Sequence, residues 1–193
     1  MKIIRSLVLG AAMAMLSGCA TYSLIPANQA VDVGNGVKVT TDIAWAKQDW
    51  PSVSGTVWTN DGIELDALMF FTGIPEGKPL IRPDAARTKE LRIYKADMIP
   101  DDVMELLTSN FGHIGYQQIK TANLHPVPFG AAQGFRFDMD FVTKDGLQMK
   151  GEALAAQRGK ALDLILFMAP AEYYYGRYAP NVEKVFTSVD APK

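Results

Sequence analysis

The chain has 193 residues, 48% hydrophobic and 21% charged, with a formal net charge of −2. That is ordinary globular composition and excludes a disordered chain. A mildly acidic balance with no Lys/Arg-rich run gives no support to nucleic-acid binding or to a polybasic membrane patch, and a single cysteine rules out an intramolecular disulfide and a Cys-rich zinc site.

The first element is a leader. Lys2 and Arg5 form a short basic start, and Ser6 to Leu16 is an apolar run. A bilayer core needs roughly 20 apolar residues, so this run reads as a signal peptide rather than a membrane span. The leader closes on Leu16-Ser17-Gly18-Cys19, where the only cysteine of the chain stands. This resembles the lipobox of bacterial lipoproteins. The resemblance implies that residues 1–18 are removed, that the Cys19 sulfur takes a diacylglyceryl group, and that the new amino terminus is acylated. It also implies, through Ala20 rather than an acidic residue after the cysteine, an outer-membrane, periplasm-facing location, with the inner membrane as the alternative. Two of the 19 basic residues fall in the leader, so the remainder carries 17 against 21 acidic residues. Residues 19–30 read as a lipidated tether, and 31–193 as a single domain.

Strand signals begin at Val31. Val31–Val33 and Val37–Thr41 flank a tight turn at Gly34-Asn35-Gly36. Val53–Thr59 and Ile63–Phe71 flank Asn60-Asp61-Gly62, which suits a three-residue loop whose glycine takes positive φ. That register sets Val57 opposite Leu65 and Val53 opposite Met69. Residues 73–90, rich in Gly, Pro and charge, read as a long loop, followed by a short strand at Leu91–Tyr94. Pro100–Phe111 predicts a helix: Pro100 suits the first turn, Asp101 and Asp102 complement the positive end of the dipole, and Val103, Leu106, Leu107 and Phe111 form its apolar stripe.

Further on, Phe135, Phe137, Met139 and Phe141 alternate with Arg136, Asp138 and Asp140. Lys144-Asp145-Gly146 is a second loop of the same kind, and it pairs Phe141 with Met149 and Asp140 with Lys150. A two-residue loop would put Phe141 opposite Lys150 and lose the apolar face. Leu162, Leu164, Leu166 and Met168 continue the alternation. The three strands make a meander whose apolar face needs a cover, for which the Pro100 helix and a C-terminal helix near Asn181–Ser188 are available.

The expected fold class is therefore α+β, an antiparallel meander with helices packed on it. The stretch from Gly134 to Gly146, then Leu164–Ala169, a Tyr-rich segment and a closing helix, resembles PsbP-like domains. The resemblance implies an antiparallel sheet between helices and a scaffolding or binding role without a shared catalytic set.

No nucleophile, phosphate-loop or zinc-protease motif is present, so no catalytic residues, metal ligands or cofactors are assigned. His113 follows the first helix, and His125 sits in the rigid run His125-Pro126-Val127-Pro128. Asp138, Asp140, Lys150 and Glu152 share the second sheet face with Ile165 and Phe167, a mix of charge and exposed aromatics. Trp45, Trp50 and Trp58 read as core or rim. The segment Tyr173-Tyr174-Tyr175-Gly176-Arg177-Tyr178 has the composition of an interface: Tyr and Arg bury large area and keep a polar tip. Tyr173, Tyr174, Tyr175, Arg177 and Tyr178 are the candidate interaction residues. The leading functional reading is a non-enzymatic envelope lipoprotein that binds or positions an envelope protein. The alternatives are a small-ligand or lipid-binding domain, with an apolar ligand in a cleft between sheet and helix closed by the 73–90 loop, and a hydrolase using Asp138, Asp140 and His125.

Overall fold

The computed structural model describes residues 23–48, 50–82 and 91–193. The leader, the lipobox with Cys19, and residues 83–90 of the expected long loop lie outside them.

The three alternating strands are β8 (Ala132–Val142), β9 (Gln148–Arg158) and β10 (Ala161–Pro170). Phe141 lies opposite Met149 and Asp140 opposite Lys150, as the apolar pattern requires. The loop between them closes through Thr143 N–H to Leu147 O at 3.0 Å and Gly146 N–H to Thr143 O at 3.0 Å, with Gly146 at φ +88°. A three-residue loop of this kind supplies the odd residue that keeps the phenylalanines on one face.

The meander lies toward one side of a larger sheet. The first strands in the chain are β1 (Ser23–Ile25), β2 (Ala30–Gly34), β3 (Val37–Thr40), β4 (Trp45–Gln48), β5 (Thr56–Thr59) and β6 (Ala67–Pro75). With β7 (Gln117–Phe129) they complete an antiparallel eight-stranded sheet in the order β1-β4-β5-β6-β10-β9-β8-β7, while β2 and β3 form a separate hairpin. The hairpin turns at Asn35 and Gly36, both at positive φ (53° and 72°), which matches the right-handed twist of its strands.

Helix α1 (Pro100–His113) buries Val103, Leu106, Leu107 and Phe111, the predicted stripe. The Asp102 carboxylate accepts the Ile99 N–H at 3.2 Å, satisfying one donor left open at the helix start. The buried Asn110 side chain accepts from Leu80 N–H at 2.9 Å and donates to Arg92 O at 2.8 Å, so α1 also fixes the segments that lead to it and from the sheet.

The two helices do not share a face. α1 shares its core with Phe71, Phe137, Phe141, Leu164 and Leu166. Helix α2 (Tyr174–Thr187) packs Val182, Val185 and Phe186 with Leu154, Ile165 and Phe167 on the other side. The reason lies in β10, where Leu162 through Pro170 are all buried, so both residue parities are apolar. A strand of that kind needs two covers, as central strands of doubly covered sheets do. The expectation of exposed Ile165 and Phe167 is corrected accordingly: both are fully buried under α2.

Four other expectations change. Val57 pairs with Met69 rather than Leu65, and Val53 bridges Ile81 rather than Met69. The slip is even, so Val57 and Met69 still face the same core. Residues 23–30, read as tether, instead supply β1, which pairs with β4, and the start of β2. Leu91–Tyr94 forms no strand; Tyr94 makes two backbone hydrogen bonds, to Gly77 and Lys78, each 2.9 Å. The closing helix starts at Tyr174, well before Asn181, with Pro180 inside it.

β7 is the element with no counterpart in the sequence reading beyond the rigid run at His125–Pro128. It is the outer edge of the sheet, mostly exposed, and its pairing with β8 shifts twice, between Gln117 and Lys120 and between Ala122 and His125. Gln118 (φ 52°) and Asn123 (φ 57°) make the shifts. Pro126 and Pro128 remove two backbone donors from it. Shifts and prolines of this sort protect an edge against adventitious pairing.

Candidate interaction surface

The Tyr-rich segment is the start of α2. β10 ends at Pro170, the Ala171 N–H bonds to Gln148 O at 3.0 Å, and the chain turns into the helix with Arg177 N–H bonded to Tyr173 O at 3.1 Å. The structure divides the five candidate residues into two groups.

Tyr178 and Tyr175 are anchors. Tyr178 is 5% exposed, its ring lies 5.8 Å from Trp45, and its hydroxyl donates to Asp61 Oδ2 at 2.6 Å. Burial, with Asp61 beside it, holds the Tyr178 phenol well above the ordinary range. Tyr175 stacks on Phe167 at 5.5 Å, and the Lys150 ammonium lies 5.9 Å from its ring. Burial and the carboxylates of Glu152 and Asp138 push the Tyr175 phenol up to about 12.

Tyr173 and Arg177 form the outer surface, while Tyr174 is half-buried and packs, like Tyr175, against the core under α2. Tyr173 is 60% exposed and meets the Tyr174 ring edge-on at 5.1 Å. The Arg177 guanidinium spans the Tyr173 and Tyr178 rings at 5.7 and 5.1 Å, donates to the Tyr173 hydroxyl at 3.3 Å, and lies 3.6 Å from Asp61 Oδ2. The patch therefore offers one exposed aromatic ring, that of Tyr173, and an exposed cation whose position is set by stacking.

Asp61 was read only as a turn residue, yet it ties the patch to the sheet. Its loop is held by Asp66, a fully buried carboxylate. Asp66 accepts from Asn60 N–H and Asp61 N–H, each at 2.7 Å, and from the Thr59 hydroxyl at 3.0 Å. Burial raises the Asp66 pKa, and those hydrogen bonds only partly offset it. This carboxylate also explains why the β5–β6 loop is longer than three residues: Asp66 gathers the donors before Gly62, while Gly62 O accepts the Leu65 and Asp66 N–H groups at 2.8 and 3.0 Å. A sequence signal existed, an Asp between Leu65 and the apolar run from Ala67, where a charge is costly unless hydrogen-bonded.

The charged sheet face is as expected in register, with Asp138 opposite Glu152 and Asp140 opposite Lys150. Arg136, Asp138 and Glu152 on this face are engaged. Arg136 bonds Glu152 at 2.5 Å and also Glu183 of α2, and it lies 5.0 Å from the centre of the Phe186 ring. Burial raises the Glu152 pKa against the opposing pull of Arg136. Asp138 accepts from the Asn123 amide at 2.6 Å, and His125 Nδ1 meets Asn123 O at 2.6 Å. Among the described residues, no group of three or more His, Cys, Asp or Glu is placed to hold a metal ion. His113 has a partner of its own. Trp45 and Trp58 are buried and Trp50 partly so.

A cleft of about 440 Å³ lies between the start of α1 and the β7–β8 edge, lined by Pro100, Asp101, Leu124, His125, Gln133 and Phe135 among others. It is a gap between helix and sheet, as the ligand-binding alternative requires, but β7 walls it. The 73–82 segment carries a separate depression of about 520 Å³ between Ile74, Ile81, Leu91 and Ile93.

The molecule thus belongs to the α+β class in which one antiparallel sheet is covered by a helix on each face. Its fold is PsbP-like: the solution structure of cyanobacterial PsbP (CyanoP) from Synechocystis sp. PCC 6803 superposes with a TM-score of 0.54 and 16% identity, over 95% of this chain and 99% of that one. The crystal structure of LpqN, involved in cell envelope biogenesis of Mycobacterium tuberculosis, aligns at a TM-score of 0.39 and 9% identity, over 90% of this chain and 86% of that one, too distant to bear on fold or role. No family model and no curated protein matches the sequence. No helix among the described residues is long and apolar enough to cross a membrane.

Proposed function

We propose that this protein is a non-enzymatic lipoprotein of the bacterial envelope. Cys19 carries its lipid anchor on the periplasmic side of the outer membrane, and the patch of Tyr173 and Arg177 binds an envelope protein. The observation that carries the binding role is the split of the Tyr-rich segment. Tyr175 and Tyr178 hold the helix start rigid, so Tyr173 and Arg177 are presented outward at low entropic cost, as interface hot spots require. The anchoring rests on the lipobox resemblance. The absence of a recognised catalytic motif, and the engagement of Asp138, His125 and Glu152 in local bonds, favour binding over hydrolysis.

Photo-crosslinking from position 173 in intact envelopes tests the reading. A discrete protein adduct that disappears in Arg177→Ala is expected. No adduct, or one indifferent to Arg177, would sink it. A small apolar ligand in the cleft at Leu124 and Phe135 is the second reading, favoured by the volume and mixed lining there. Native mass spectrometry of the folded domain would show an added mass that a Phe135→Trp filling of the cleft removes.

A further inference from the structure

The lipid anchor and the strand order together decide how the domain stands on its membrane, and this inference rests on the acylation of Cys19 proposed above. Between Cys19 and Ser23 lie only Ala20, Thr21 and Tyr22. Even fully extended, that link spans at most about 14 Å. Ser23 is not free beyond it: it pairs with Lys47 at the outer edge of the sheet.

The sheet registers locate Ser23 along the strands. Lys47 lies opposite Trp58, Trp58 opposite Leu68, Leu68 opposite Phe167, and Phe167 opposite Glu152. From that row β10 runs back through Ala161, about 20 Å of strand. In the other direction β9 and its hairpin run from Glu152 out to Asp145, about 23 Å. A bilayer lying across either end of the long strands is therefore out of the link's reach. A bilayer along the β1 edge is within it.

The chemistry of that edge agrees. Leu24 is 73% exposed, pointing away from its buried neighbour Ile25. Lys47, opposite Ser23, is exposed as well. Leu24 and Lys47 project from opposite faces of the sheet at this edge, and an aliphatic side chain on one side with a long cation on the other suits the boundary between acyl chains and headgroup phosphates.

We propose that the β1 edge is a bilayer-contacting surface, with Leu24 at the acyl boundary and Lys47 among the phosphates, so that the sheet stands edge-on. Eight strands set β7 about 34 Å from β1 at the usual spacing of about 4.8 Å. The β7 edge and its cleft then face away from the membrane.

The test uses the full acylated chain in vesicles of phosphatidylethanolamine and phosphatidylglycerol containing headgroup spin-labelled lipid. Acylation blocks the Cys19 sulfur, so Leu24→Cys and Leu124→Cys each carry a single reactive thiol for a fluorophore. Both positions are exposed, so neither substitution removes a core side chain. The label at 24 is expected to be quenched severalfold and the label at 124 hardly at all. Equal quenching at both sites, or quenching at 124 alone, in protein whose intact mass shows the acyl chains, overturns the orientation while leaving the anchor standing. An intact mass without acyl chains overturns the anchor itself.

Discussion

Tyr178 donates its hydroxyl to the Asp61 carboxylate at 2.6 Å across 117 residues of sequence, joining the start of α2 to the β5–β6 loop. The contact makes one unit of two segments that the sequence presents separately. Asp66 holds the loop, the loop holds Asp61, and Asp61 holds Tyr178 beneath the Arg177 patch.

Tyr178→Phe tests that unit. The ring keeps its place beside Trp45, while Asp61 keeps only the longer Arg177 contact. A loss of about 1.5–3 kcal/mol in urea unfolding is expected, the usual range for a hydrogen bond to a charged group. The denaturant slope should stay unchanged, since the native fold is retained.

Asp66 gives a pH signature. Its native pKa lies above the unstructured value of 3.8. Between those two values the native state holds the proton more tightly than the unfolded state, so the Asp66 contribution to stability is greatest at low pH. It falls as pH rises through that window and is level above the native pKa. Carboxyl chemical shifts followed by NMR check the titration directly. Asp66→Asn should remove this part of the pH dependence. It should also cost about 2–3 kcal/mol, because an amide cannot accept from all three donors of the loop.

Gly130 is fixed by a close approach. It sits at φ +57°, and a Cβ there would lie 2.4 Å from the Ala191 nitrogen. The tail bonds back at this point, with Ala131 N–H on Ala191 O at 2.9 Å. Gly130→Ala should destabilise by about 2–4 kcal/mol through backbone strain and displacement of the tail. Hydrogen exchange should speed up first at Lys38 and Asp190, whose backbones pair next to it.

Arg158 and Asp163 form a buried pair at 2.7 Å, with Asp163 fully enclosed. Asp163 also accepts from Gly73 N–H at 2.8 Å and the Asn35 amide at 3.2 Å, tying the β2–β3 hairpin to β6. Arg158→Met leaves that charge without its ion partner and should cost about 3–5 kcal/mol. Melting followed in the double variant Arg158→Met/Asp163→Asn should recover part of the loss, because the uncompensated charge is gone.

Tyr173→Ala should cost no more than about 1 kcal/mol, because its contacts with Tyr174 and Arg177 lie at an exposed surface where a cation–π pair contributes about 0.5–1 kcal/mol. Its main effect should fall on partner binding, measured by crosslinking yield, which separates it from Tyr178.

Much of the fold is written locally. In the meander, a strict alternation of Phe135, Phe137, Met139 and Phe141 left one loop length that keeps the phenylalanines together, so the register could be read in advance. The stripe of α1 was legible for the same reason, since local periodicity and tertiary burial ask for the same thing. β7 was not legible: an edge strand that faces water has no alternation to show. Asp66 hid the β5–β6 loop length, because a buried carboxylate is stabilised by backbone donors that no pattern reveals. The Tyr-rich segment stood out by composition, but composition is blind to which rings face inward.

By itself, the sequence determined the α+β class, the meander register, the α1 helix and the position of the lone cysteine at the end of an apolar run. Only the tertiary structure decided that the helices take opposite faces, that residues 23–25 become an edge strand, and that Tyr173 and Arg177 face solvent while Tyr178 is buried and Tyr175 half-buried against Phe167. Periodicity records whether a residue is buried, a property of short range. Which partner buries it is settled by contacts between segments far apart in the chain.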